Sequence, residues 1–275
     1  MQEFGTDTTR RQFMKSILAV SATVTTFPAI AADKNHALDF PLEDLHVHLT
    51  PDFTLEHVKA QSEKLGVKCG IVQHPGGRYR DIGVDDEALL KYISTLDPYP
   101  FYKAVQPVSP GWRSDFSAEV IAKLDYVIMD AMELPNPDGT FFCIWMDDTQ
   151  ISDKDKFMDR YLDFHLQIMS EEGINILASP TFLPSCLHDE YDQLWTEKRM
   201  RTIIESAVQN NVALEIGAMY KIPNEKFVRL AKASGAKFTF GTNGRTPETA
   251  AVLDYSIDMA AKCGLSKKDM FTPDV

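Results

Sequence analysis

The sequence predicts a single α/β domain in which seven parallel strands close into a barrel. Three observations carry that expectation. From residue 42 onward, short β-rich runs alternate with longer polar segments of helical period, the pattern of repeated strand-helix units and a parallel sheet. Several of the helical segments end at a glycine that leads into the next strand. Residues able to do chemistry sit at many different strand ends, and no glycine-rich phosphate loop follows the first strand. A closed barrel gathers such ends at one mouth, whereas an open doubly wound sheet does not.

The elements follow in order. "LEDLHVH" reads as the first strand, and "TLEHVKAQSEKLG" as a helix with Leu55, Val58 and Leu65 on one face, the small Ser62 between them and Gly66 as its stop. "VKCGIVQH", "FYKAVQPV" and "LDYVIMDAM" are the next three strands. The long connection "ELPNPDGTFFCIWMDDTQ" is expected as a loop over the barrel mouth. "DKDKFMDRYLDFHLQIMSEEG" is a helix ending at Gly173 before the strand "INILASP". "VALEIG" follows, then the helix "NEKFVRLAKASG" ending at Gly235, and finally the strand "AKFTFGTN". No internal repeat, low-complexity tract or second domain interrupts this series.

The 275 residues, 44% hydrophobic and 25% charged, suffice for the core of one medium-sized domain. A formal charge of -12 argues against nucleic acid or anionic lipid as partner, since both are recognised through clustered Lys and Arg. A small-molecule partner is favoured. Cys69, Cys143, Cys186 and Cys263 are scattered without CxxC spacing, which suits small buried hydrophobes; a disulfide or two is the second reading.

The first 31 residues read as an address. "TTRRQFMKSILAVSATVTTFPAIAAD" has Arg10 and Arg11, then Phe13 and Lys15, a mildly apolar stretch, and the small-residue pattern Ala29-Ile30-Ala31. The stretch is too polar and too short to span a bilayer comfortably. It resembles a twin-arginine (Tat) signal peptide, which implies recognition by the Tat export machinery, delivery of a folded bacterial protein to the periplasm or cell envelope, and no stable membrane span after processing. Residues 32–41 would be a short tether and 42–275 the barrel.

His46 and His48 lie two apart on the first strand, so both imidazoles should face one way with Val47 opposite, as at the start of a metal site. His74 precedes a Pro-Gly-Gly turn, where loop geometry could be its whole role. Glu215 stands in an apolar strand, where a carboxylate is rare unless bound or paired; a functional role at the mouth is one reading, and a salt bridge to Arg245, Lys221 or another barrel cation the other. Asp130 ends a strand and is either a ligand or general base, or a loop cap. The "GTNGRT" turn places Asn243 in a tight bend, and Arg245 can grip a carboxylate or phosphate with two parallel hydrogen bonds. Arg78, Arg80 and Arg113 follow the second and third strands and could add guanidiniums at the mouth. His57, His165 and His188 read as surface or capping residues, and Asp147 and Asp148 as solvated loop charges. Trp112, Trp145 and Trp195 read as core or rim packing, with a ring-stacking role at the mouth as the alternative.

"DLHVHLT", "TLEHVKAQSEKLGVKCGIVQH", "LDYVIMDAM", "INILASPTFLP" and "VALEIGAMYKIPNEKFVRLAKASGAKFTFGTNGRT" together resemble the PHP (polymerase and histidinol phosphatase) superfamily over roughly residues 42 to 265. The resemblance implies a distorted, TIM-like (β/α)7 barrel that hydrolyses phosphomonoesters with two or three divalent ions at its C-terminal strand ends. It carries three ligands over, onto His46, His48 and His74. The bridging carboxylate falls on Gln106, two further histidines on Met132 and Ser179, and the closing Asp-x-His on Asn243-x-Arg245. A neutral amide cannot bridge two cations, and a guanidinium stands where a metal-bound imidazole would.

The expectation that follows is an exported, PHP-like metal-dependent hydrolase with a phosphoesterase-like reaction and at most one or two divalent ions. One ion (Zn, Mn or Fe) would sit on His46 and His48 with His74, Asp130 or Glu215 completing or supporting the site. Asp130 and Glu215 are the catalytic candidates, and Arg245, Asn243, Gln106 and Arg78 the substrate contacts. The alternative is a non-catalytic PHP-like barrel that binds an anionic small molecule in the cell envelope. A third is another amidohydrolase-like reaction on a C–N or C–O bond.

Overall fold

The computed structural model describes residues 38–76, 79 and 81–273. The expected export signal, most of the expected tether, Arg78 and Arg80 lie outside the described residues. All seven expected strands form: β1 Glu43–Val47, β2 Lys68–Gln73, β3 Tyr102–Val105, β4 Tyr126–Met129, then β7 Ile176–Leu177, β8 Ala213–Gly217 and β9 Phe238–Gly241. They pair in parallel in the order β1-β2-β3-β4-β7-β8-β9. The ring closes between β9 and β1, where His48 N donates to Gly244 O at 2.9 Å and Gly244 N to His46 O at 3.2 Å. The architecture is a nearly closed TIM-like barrel.

Helices α1 Leu55–Leu65, α2 Asp86–Leu96, α4 Lys154–Glu171, α6 Glu197–Gln209, α7 Glu225–Ala233 and α8 Asp254–Cys263 supply the outer layer, with the one-turn helices α3 Ala118–Ile121 and α5 Tyr191–Leu194 in connections. Gly66 caps α1 in the left-handed region at φ 66, a conformation that costs glycine nothing. The face of α1 differs from the expected one. Val58 and Gln61 are the buried pair, while Leu55 and Leu65 are only half-buried. Gln61 is tolerated there because its amide donates to Ala250 O at 3.3 Å.

The connection expected as a loop contains a hairpin of its own. β5 Glu133–Pro135 and β6 Phe141–Cys143 pair antiparallel. The turn-forming "NPDG" between them closes through Asn136 N to Thr140 O at 2.7 Å. Arg160 on α4 pins the hairpin, donating to Pro135 O and to Asn136 Oδ1, each at 2.8 Å.

Inside the barrel the side chains form layers. Leu45, Val72, Ala104, Tyr126, Ile128 and Ile176 pack together in the interior, with Phe271 against them from the C-terminal tail. Tyr102 and Glu43 meet at 2.8 Å below. The β1 register is irregular between Asp44 and Val47. That irregularity explains how both Leu45, in the interior layer, and His46, its neighbour, face inward, which strict strand alternation forbids.

Asp44, fully buried, staples the closure. Its carboxylate accepts from His46 N (3.2 Å), Thr242 N (2.9 Å), Thr242 Oγ1 (2.5 Å) and Ala251 N (2.8 Å). Burial nevertheless raises its pKa above the ordinary carboxylate value, the hydrogen bonds opposing that rise. The four cysteines are all free thiols, Cys69, Cys143 and Cys263 buried and Cys186 exposed. No described helix is long and apolar enough to cross a membrane.

Candidate functional site

Because strand ends converge at the mouth, residues far apart in sequence meet there. His46 is 1% exposed and lies beneath the mouth. Its Nδ1 is 2.7 Å from Glu215 Oε1 and its Nε2 is 3.2 Å from Gln106 Oε1. Gln106 Nε2 donates to Asp130 Oδ2 at 2.8 Å, which turns the amide oxygen toward the imidazole. With an acceptor at each ring nitrogen, the arrangement favours the doubly protonated imidazole. Burial works against that charge. The Glu215 carboxylate outweighs it, with help from Asp130 and against Arg245, so the His46 pKa is raised.

Glu215 is as buried as His46, and its second oxygen accepts from Ser179 N at 2.8 Å. Neither of the suggested cations, Arg245 or Lys221, is the hydrogen-bonded partner of its carboxylate; the partner is His46. Room for the pair comes from Gly241 on β9, where a Cβ would stand 1.9 Å from Glu215 Oε1 and 2.9 Å from His46 Cβ. Asp130 accepts from Met132 N at 2.8 Å through the oxygen that Gln106 does not use. A continuous chain therefore runs Ser179, Glu215, His46, Gln106, Asp130.

Above this chain opens a cleft of about 630 Å³, its solvent-facing part included. His74, Gln106 and Asp130 form its floor. His74 Nδ1 donates to Gln106 O at 2.8 Å, which leaves Nε2 on the other side, 4.0 Å from Asp81 Oδ2. Asn243 and Arg245 form one wall, and Asn243, in the left-handed region at φ 50, holds the guanidinium through its backbone oxygen at 2.9 Å and its side-chain oxygen. The hairpin side contributes Met132, Glu133 and Trp145. Glu133 Oε1 accepts from Trp145 Nε1 at 3.2 Å and from the Tyr79 hydroxyl. Met219 and Tyr220, after β8, complete the rim.

The structure thus brings His46, His48, His74, Gln106, Asp130, Glu215, Asn243 and Arg245 to one barrel end. The three imidazoles stand in a row, with ring centroids 5.3 Å apart for His46 and His48 and 5.0 Å for His48 and His74. Other candidates fall elsewhere. Arg113 stacks over Trp112, 5.7 Å from its ring centroid, away from the cleft lining. Asp147 and Asp148 are exposed, His57 caps the start of α1, and His188 bonds Leu183 O at 2.8 Å. His165 is fully buried rather than at the surface. Trp112 and Trp195 are core, and Trp145 is at the mouth. Sequence reasoning missed Glu133 as a site residue.

A divalent ion on His46 would have to bind through Nε2 and displace the Gln106 amide oxygen that faces it, because Nδ1 is engaged by Glu215. Among the described residues no group of three or more His, Cys, Asp or Glu is arranged to hold an ion.

No protein-family profile matches the sequence, and no curated protein matches it. Solved structures give distant likenesses. One is a chain of archaeal ribonuclease P with mature tRNA, at 11% identity and TM-score 0.38, covering 80% of this chain and 89% of that one. A second is phospho-2-dehydro-3-deoxyheptonate aldolase from Thermotoga maritima, at 11% identity and TM-score 0.35, covering 84% and 76%. A third is a citrate lyase from Burkholderia xenovorans, at 10% identity and TM-score 0.39, covering 82% and 79%. Likeness at this level carries no argument about activity, and the barrel stands on its own strand order and closure.

Proposed function

We propose that this chain is an exported barrel of PHP type whose mouth binds a small organic anion without a metal cluster. The observation that carries the reading is the fate of His46. At the position where the resemblance puts a metal ligand, the imidazole is held between Glu215 and Gln106, its Nδ1 engaged by the carboxylate and its Nε2 faced by the amide oxygen. Arg245, held on Asn243 at the cleft wall, offers a fork of donors suited to a carboxylate or phosphate. Gln106 and Asn243 replace carboxylates that would repel such a group.

Elemental analysis of the folded protein tests this. We expect zinc, manganese and iron well below one per chain, unchanged in a His46→Ala/His48→Ala variant. Near-stoichiometric metal that disappears in the variant would instead restore a metal-dependent hydrolase and call for a phosphoester substrate screen.

Export belongs to the same proposal and rests on Arg10, Arg11, Phe13 and Lys15. Lysine at both Arg10 and Arg11 is expected to leave the protein in the cytoplasm at full precursor length, read by immunoblot of fractionated cells. Unchanged processing would remove the twin-arginine route.

A further inference from the structure

We infer that the barrel holds a second binding site, at the end opposite the mouth, for a compact uncharged molecule with an apolar ring-sized body and one hydroxyl. A cavity of about 670 Å³, its solvent-facing part included, lies at the N-terminal ends of β1 and β9. Phe40, Pro41, Leu45, Phe240, Met270 and Phe271 form its apolar walls. The C-terminal tail supplies the last two, and Phe271 N anchors that tail by donating to Phe238 O at 2.9 Å. The Phe40 and Phe240 rings are tilted at 58° with centroids 5.9 Å apart, an arrangement that accepts a further ring by edge-to-face contact.

Thr239 gives this space its polar anchor. Side chains two apart on a strand share a face, and Gly241 faces the barrel interior, where a Cβ would meet Glu215 and His46. Thr239 therefore points inward as well, from the part of β9 nearer the base. It is 2% exposed, lines the cavity, and its hydroxyl meets no hydrogen-bonding partner among the described residues. A buried hydroxyl left in that condition is costly, so a molecule that brings it a partner gains by doing so. Water alone fits poorly, because an internal water needs about two to four polar partners and these walls are apolar. Charge settles the rest. Lys267 is the cation among the described lining residues, and it is exposed, whereas the half-buried Glu43 carboxylate lies in the same wall, accepting from the Tyr102 hydroxyl at 2.8 Å. An anion entering here gives up its hydration and meets a like charge, and an uncharged hydroxyl meets Thr239 without either cost.

The test is titration of the full chain with phenol, toluene and hexanoate, by calorimetry or ligand-observed NMR, thermal melting verifying that each variant folds. We expect phenol to bind at least as tightly as toluene, although it has more hydration to lose. Thr239→Val removes the hydroxyl and keeps the shape, so it should reverse that order, weakening phenol roughly tenfold and leaving toluene no weaker. Met270→Trp, at a half-buried position of the wall, should fill the cavity and abolish binding of both. Toluene tighter than phenol in the wild type, or an unchanged order in Thr239→Val, would overturn the hydroxyl as the recognition element and the proposal with it. No binding of phenol or toluene, or binding that survives Met270→Trp, would overturn the site. Hexanoate binding as tightly as phenol and lost in Met270→Trp would overturn the uncharged ligand class.

Discussion

Replacing Glu215 with alanine is expected to destabilise the fold by about 3–5 kcal/mol, the range for stripping one partner from a buried ion pair. The carboxylate accepts hydrogen bonds from His46 Nδ1 at 2.7 Å and from the Ser179 amide at 2.8 Å, and all of these groups are buried. Alanine leaves the amide unpaired and obliges His46 to shed its proton or remain as an isolated buried charge. It also leaves space beside Gly241, which has no side chain to fill it. Glu215→Gln should cost markedly less. Its amide oxygen can still accept from Ser179, and its amide N–H can donate to His46 once the imidazole is neutral and protonated on Nε2 toward Gln106. Urea denaturation of the three proteins measures this. A loss below about 1 kcal/mol for alanine, or equal losses for both variants, would mean the pair does not hold the barrel mouth as described.

The fold was legible because parallel barrel strands are buried on both faces and therefore appear as continuous apolar, β-rich runs, of which "YVIM" and "ALEIG" are examples. Residues at the ends of such runs converge by geometry alone, and that is how His74, Asp130, Asn243 and Arg245 could be nominated together, whereas Gln106 was reached only through the resemblance to the PHP superfamily. The pairing between them was not legible. Glu215 and His46 are 169 residues apart and meet only across the closed ring. Glu215 was conspicuous as a carboxylate in an apolar strand, but nothing local says whether such a group is a catalyst or a counter-ion. Asp44 carries the same signal in "LEDLHVH", where the histidines drew the attention. The β1 irregularity that turns both Leu45 and His46 inward leaves no trace in composition. Glu133 escaped because the residues after β4 looked like a plain loop, whereas "NPDG" folds them back as a hairpin over the cleft.

His165 is the second residue whose replacement should have a large effect, and here the effect is on pH dependence. In α4 it follows Tyr161 by four and precedes Met169 by four, on the stripe that includes Phe157, Phe164 and Ile168. Spacing alone thus puts it in the core, against the polar expectation of its residue type. Its Nδ1 donates to Tyr161 O at 2.7 Å, and its ring stacks edge-on against Tyr161 and Trp195. Burial drives its pKa down from 6.5 to about 4, the nearby Tyr161 and Pro180 carbonyls opposing the fall. Above pH 6.5 the imidazole is neutral in both folded and unfolded chains and costs nothing. Between 6.5 and about 4 the unfolded chain takes up a proton that the folded chain refuses, so stability falls as pH falls, by about 3 kcal/mol in all. His46 acts with the opposite sign. Its folded pKa is raised, so its contribution is complete below the unfolded value of 6.5 and is lost as pH rises through the folded one. Urea midpoints of the wild type and of His165→Leu, compared from pH 7 down to 4, separate the two histidines. The wild type should lose stability relative to the variant across that window, and parallel curves would place the acid sensitivity in the carboxylates instead.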